Sequence, residues 1–158
     1  MDAQANLGRD IALEVLDNRL LRVYRTSETR RRSTSGGRGV TIRDLHTTKG
    51  RDNLGQALVM RLLTPQGELA PLGHPTYGAR LYEIIGARNT ETIRNLAKLY
   101  VLTALKAERR IDKVVSVTVT PHPVHRDLIR IAAEVQPMGD DVPLAISFAL
   151  ELGTGGQG

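Results

Sequence analysis

The sequence contains no cysteine and no tryptophan, and aromatic residues make up 3% of its 158 positions. The first absence excludes disulfides, thiolate nucleophiles and cysteine-ligated metals, and it suits a reducing compartment. The second leaves an aliphatic core, drawn from a hydrophobic fraction of 41%. No apolar run approaches the roughly 20 residues of a membrane-spanning helix. The first residues lack a basic-then-apolar signal pattern, so secretion by that route is not expected. Also missing are a Gly-x-Ser-x-Gly elbow, a phosphate-cradling glycine loop ending in Gly-Lys-Ser/Thr, and a dinucleotide fingerprint. Ser35-Gly36-Gly37-Arg38-Gly39 is glycine-rich but follows no convincing strand, so it reads as a flexible loop.

What is present is an uneven charge. The net charge is +5. Between Arg19 and Arg51, ten basic residues face two acids, Glu28 and Asp44, for a local charge of +8; the rest of the chain carries −3. The basicity therefore belongs to one stretch. The length fits a single domain, 1–158, with 25–51 as a basic inserted loop or arm and 152–158 as a flexible tail.

The apolar pattern predicts an α+β fold: a small antiparallel or mixed sheet with a C-terminal three-strand meander packed on two or more helices. Residues 1–6 are polar and expected to fray. Alternation through Ile11, Leu13, Val15, Leu21 and Val23, broken at Asp17-Asn18, predicts a hairpin or bent strand over 10–24. The Arg/Ser/Thr/Gly stretch 25–39 shows no apolar face and predicts a loop or disordered arm. A short strand is read at Val40-Thr41-Ile42. Leu54, Ala57, Leu58, Arg61 and Leu62 stand at helical spacing, which predicts a helix over 53–63 that Pro65 and Gly67 stop. A compact Pro/Gly corner over 70–78 precedes a short helix or turn at 79–85. Thr90 or Asn89 caps a main helix over 90–107, about 27 Å long. Its stripe is Ile93, Leu96, Ala97, Tyr100, Ala104 and Leu105. Alternation in Val115–Val119, Leu128–Val135 and Leu144–Leu150 then predicts three strands joined by Pro- and Gly-containing turns.

Residues capable of chemistry are scattered. His46, His74, His122 and His125 lack the further ligands of a metal set, so no metal and no cofactor is expected. Glu68, Glu83, Glu91 and Glu108 offer carboxylates of the glycosidase type. Each also has an ordinary place, in a turn, on a helix surface, in a first turn or at a helix end, and no catalytic residue is assigned.

One order of residues does carry a resemblance. Gln56 is followed by Leu62-Leu63-Thr64-Pro65-x-Gly67-Glu68, then by Pro75-x-Tyr77-Gly78. A long helix ending Glu108-x-Arg110-Ile111 and a strand meander complete it. Over about 52–151 this resembles the sheath-initiator family of phage baseplate wedge proteins, called lysozyme-like in older labels, found in contractile tails and related injection systems. The family usually has Glu-Pro-Arg where this chain has Glu108-Arg109-Arg110, and often Gly-Glu-Arg where it has Gly67-Glu68-Leu69. The resemblance implies a structural baseplate component, not an enzyme, that joins the baseplate to the first sheath ring and accepts extended sheath arms as added strands. It implies as partners the sheath protein, the wedge core bundle and tube or hub proteins, with six copies per particle, assembled in the host cytoplasm. Partner contacts are expected at Glu108, Arg109, Arg110 and Glu68, and at Arg30, Arg31 and Arg32 of the basic stretch. Two rivals stand beside this reading. The 19–51 segment could serve a nucleic-acid-binding module, although it lacks a recognition-helix context. A muramidase-type enzyme is suggested by the older label alone.

Overall fold

The computed structural model describes residues 7–18, 21–26, 28–33 and 40–153. The fold is α+β, with helices α1 (Gly50–Leu63) and α2 (Glu91–Lys106) and antiparallel strand pairs. The chain divides into two compact units, Asp2–Gln56 and Ala57–Gly158.

In the unit Ala57–Gly158, the side-chain oxygen of Thr90 accepts the Ile93 N–H at 3.3 Å and so satisfies one orphan donor at the start of α2. Glu91 lies in the first turn and Lys106 in the last, each with the sign that the helix dipole favours. The buried residues Ala97, Tyr100, Val101, Ala104 and Leu105 recur at helical spacing. The helix packs on a meander of three strands, numbered in chain order β7 (Ile111–Pro121), β8 (Leu128–Pro137) and β9 (Leu144–Glu151), with β8 in the centre. Ile129, Ile131, Ala133 and Val135 of β8 are buried, as are Val117 of β7 and Ile146 and Leu150 of β9. Burying each large aliphatic side chain contributes about 1.5–3 kcal/mol. Alternate residues on the flanking strands are exposed and small or polar: Thr118, Thr120, Ala145, Ser147 and Ala149. β7 opens with two register shifts, between Ile111 and Lys113 and between Val114 and Ser116, and pairs regularly from there on.

Loops are tied to this layer by named groups. The Asn89 side-chain amide donates to the carbonyls of Arg126 and Leu128 at 3.0 and 3.2 Å. His122 Nδ1 accepts the backbone N–H groups of Val124 and His125 in the turn after β7. Leu152, which the sequence places in a flexible tail, is buried; its N–H donates to Asp127 and its carbonyl accepts from Gly86. Residues 154–158 of that expected tail lie outside the described residues.

The unit Asp2–Gln56 is built of short ribbons. β1 (Arg9–Ile11) pairs with β6 (Thr47–Lys49), β2 (Leu13–Asn18) with β3 (Leu21–Thr26), and β4 (Glu28–Ser33) with β5 (Val40–Leu45). Of the hairpin expected over 10–24, Leu13–Asn18 and Leu21–Thr26 form the β2–β3 pair; Asp10 and Ile11 belong instead to β1, and Asp17-Asn18, read as the turn, are the last paired residues of β2. Within 25–39 the expectation of a loop or disordered arm is corrected at Glu28–Ser33, which pairs with β5 in an antiparallel ladder from Glu28↔Leu45 to Ser33↔Val40; the short strand read at Val40-Thr41-Ile42 is the start of β5. A two-stranded ribbon satisfies its backbone through the partner strand, so it can form without the periodic apolar face that a helix or a packed sheet shows. The expected fraying of 1–6 and the glycine loop at 35–39 lie outside the described residues. At the start of α1, the buried Asn53 donates to the Leu7 carbonyl at 2.8 Å. Gln56 accepts the Leu13 N–H and donates to the Ile11 carbonyl, standing in for a ladder partner where β1 gives way to β2.

Candidate functional site

Helix α2 stops in a tight corner. Ala107 is its cap, the Glu108 N–H donates to Leu105, and the Ile111 N–H donates back to the Glu108 carbonyl at 3.2 Å. That last bond closes a β-turn over Glu108-Arg109-Arg110-Ile111, with Arg109 second. Proline is favoured at this place in common turns. The Arg110 carbonyl accepts the Met138 N–H, which anchors the β8–β9 connection to the same corner.

Inside the corner, the Glu108 carboxylate is 9% exposed and is held from two sides. Arg110 Nε donates to its Oε1 at 2.8 Å, and Arg61 Nη2, from the second half of α1, donates to its Oε2 at 3.2 Å. The Arg110 backbone N–H is also directed at Oε1, at 3.4 Å. Burial alone would raise the Glu108 pKa. The hydrogen bond from Arg110, the charges of Arg110 and Arg61, and the backbone N–H outweigh it and hold the carboxyl below its ordinary value. The Arg61 guanidinium lies 4.4 Å from the centre of the Tyr77 ring. Burial pushes the Tyr77 phenol up, opposed by Arg61. Arg61 Nε is buried and, among the described residues, has no hydrogen-bond partner.

Tyr77 is delivered by the Pro/Gly corner. The Gly67 N–H donates to the Tyr77 carbonyl, and the Gln66 and Ala79 N–H groups bond to Ala79 and Thr64. Gly78 has φ +107°, and a Cβ there would meet the Thr64 and Pro65 carbonyl oxygens at 2.6 and 2.7 Å. The position admits only glycine.

Of the residues expected to bind partners, the structure brings Glu108 and Arg110 together. Arg109 is exposed at the tip of the turn, and the Glu68 side chain is exposed and joins none of these contacts. Arg30, Arg31 and Arg32 lie in β4, in the other unit. The residues missed as site components are Arg61 and Tyr77. Arg61 had left a trace: a charge inside the apolar spacing of α1, between Leu58 and Leu62.

A second carboxylate, Glu83, is also committed. Arg80 Nε and Nη2 grip its two oxygens at 2.7 and 2.8 Å, and the Tyr100 hydroxyl donates to it at 2.8 Å. The hydrogen bond from Arg80, then that from Tyr100, holds Glu83 below its ordinary value. Among the described residues no group of three or more His, Cys, Asp or Glu could hold a metal ion, and no helix is long and apolar enough to cross a membrane.

With helix, meander and corner in place, the fold can be compared. It is similar to that of a Geobacter sulfurreducens protein described as a tail lysozyme. The TM-score is 0.57 at 20% identity, over 66% of this chain and 93% of that one, and the likeness is one of fold. No protein-family model matches the chain, and no curated protein matches its sequence. The word lysozyme invites a test of the carboxylates. Glycosidase chemistry needs a pair in which one carboxyl stays protonated through a raised pKa. In this chain both Glu108 and Glu83 are shifted the other way.

Two outcomes follow from the corner. Because the folded-state pKa of Glu108 lies below its unfolded value, its contribution to stability is present above that unfolded value and is lost as pH falls through the lowered one. Thermal melts taken from neutral to acid pH should show this loss setting in below about pH 5, and Glu108→Gln should flatten that part of the profile. A Glu108→Gln profile parallel to wild type would contradict the assignment. Arg109→Pro should raise stability by about 0.5–1 kcal/mol, because among the described residues the Arg109 N–H makes no hydrogen bond and proline is favoured at the second place of common turns. A lower melting temperature would show that the backbone there cannot take the proline geometry.

Proposed function

We propose that this chain is a structural component of a contractile tail, placed at the baseplate wedge, where it joins the baseplate to the first sheath ring and starts sheath assembly. The observation that carries the reading is the corner after α2. Glu108 and Arg110 are ordered by their own bond and by Arg61 before any partner arrives, so little rotamer entropy remains to be lost on binding. An arginine held this way meets a partner's polar groups with direction as well as charge. The fold likeness to a protein described as belonging to a tail supports the same reading.

The meander supplies the second half of the role. Among the described residues β7 is an edge strand, and from Val114 to Thr120 it carries only Val, Thr and Ser. Lysine, proline and bulges commonly blunt edges; Lys113, Pro121 and the register shift between Val114 and Ser116 lie toward the ends of β7, and the regular run Ser116–Thr120 between them has none of these. An extended arm of the sheath protein would add to such an edge through backbone hydrogen bonds. The corner would face the other wedge proteins and their core bundle, with tube or hub proteins nearby and six copies per particle. The chain is proposed to be no enzyme, since its two best-ordered carboxylates are kept ionised by arginines.

Arg110→Ala should leave a folded, soluble protein, because Arg61 still faces Glu108, while particles made with it should show tubes without sheath by electron microscopy. Normal sheath in those particles would contradict the proposal. The wild-type protein should not clear peptidoglycan. Clearing that vanishes with Glu108→Gln or Glu68→Gln would establish the enzymatic rival instead.

A further inference from the structure

Strand β7 is paired on one side by β8, and among the described residues nothing pairs with it on the other. From Ser116 to Thr120 that outer edge reads Ser-Val-Thr-Val-Thr, regular in register and without charge. An edge of this kind is a template for a chain able to continue the ladder. One candidate is singled out by the symmetry of the run about Thr118. Laid antiparallel against a second copy with Thr118 opposite Thr118, the run sets Val117 opposite Val119 and Ser116 opposite Thr120. Val117 is buried and Val119 half-buried, whereas Ser116, Thr118 and Thr120 are exposed. Valine therefore meets valine on the core side, hydroxyl meets hydroxyl on the solvent side, and no like charges are opposed. Threonine and serine hydroxyls facing each other are a favourable cross-strand pair, and opposed like charges are the unfavourable one.

The backbone fits the same register. Successive residues of a strand direct their N–H and C=O groups to opposite sides, and in this register every residue meets one an even number of places away. Whichever residues of the run turn their backbone groups outward thus meet residues that do the same, and the ladder closes regularly. The two-fold axis of such a pair stands perpendicular to the sheet. Both copies of α2, which packs on β7, then lie on the same face. We infer that β7 pairs with β7 of a second copy, joining two meanders into one continuous antiparallel sheet in a C2 dimer. Because the same edge serves both copies, the interface is isologous and growth stops at two. The dimer would cover the edge offered above to a sheath arm; that competition rests on the proposed function, whereas the pairing itself rests on the edge alone.

Sedimentation equilibrium of the full chain, with no other protein present, should show a reversible monomer–dimer equilibrium. Thr118 is exposed, and its hydroxyl reaches the Ala132 carbonyl only at 3.5 Å, so it can be replaced with little cost to the monomer. Thr118→Lys and Thr118→Glu each set like charges across the axis and should raise the dimer dissociation constant by at least about fivefold. An equimolar mixture of the two sets opposite charges there and should return the constant to within about twofold of wild type. Ser147→Lys, exposed on β9, adds the same charge as Thr118→Lys away from the edge and should change the constant by less than about twofold. Should a Thr118 variant lose its native circular dichroism, amide hydrogen exchange of the wild type reads the same edge: exchange within Ser116–Thr120 should slow as concentration rises through the dissociation constant. A wild-type chain that stays monomeric up to about 1 mM would overturn the inference. So would a mixture no stronger than its two components, equal weakening by Ser147→Lys, or exchange at Ser116–Thr120 that ignores concentration. All of these are read without sheath protein, so they stand or fall separately from the particle images that test the proposed function.

Discussion

A buried carboxylate shared by two arginines is what the C-terminal unit closes upon. Glu108 follows the cap of the main helix, Arg110 stands just before the first strand of the meander, and Arg61 arrives from the preceding helix. A lone carboxylate at this depth would be costly and would tend to take up a proton. Two guanidinium groups and a backbone N–H keep it ionised instead. The tyrosine of the Pro/Gly corner lies against Arg61, and a glycine that tolerates no side chain brings that tyrosine into place. Helix, strand and corner therefore meet at one charge.

The proposed role in assembly draws on two features of this corner. Its polar groups are positioned by bonds within the chain, and the same turn leads directly into a strand whose outer edge is open to another backbone among the described residues. Rigid polar contact and strand addition complement one another: the first sets orientation, and the second gains length through repeated backbone bonds.

Much of this was legible in the sequence, for physical reasons that also explain the gaps. Thr90 before an apolar stripe marks the start of α2 because capping chemistry is local, and the alternation in β7, β8 and β9 is clear because each buries one face. Glu108 and Arg110 could be singled out through the resemblance, whose motif holds them two residues apart. Arg61 could not, being 47 residues from its partner; a charge within an apolar stripe reads as a surface intrusion until the fold supplies the carboxylate. Nor could β4, since its run Glu28–Ser33 follows no apolar period, although the start of its partner β5 was legible at Val40-Thr41-Ile42. The turn at Arg109 shows the converse: an exposed arginine stands where proline is favoured, and the turn forms regardless.

The central claim is that Arg61 and Glu108 act as one unit that orders the corner. A double-mutant cycle with Arg61→Met, Glu108→Gln and the combined variant, measured by denaturant unfolding, tests it directly. The account predicts a coupling of about 1.5 kcal/mol or more, with the double variant more stable than the sum of the two single losses implies. Additivity within about 0.3 kcal/mol would contradict it.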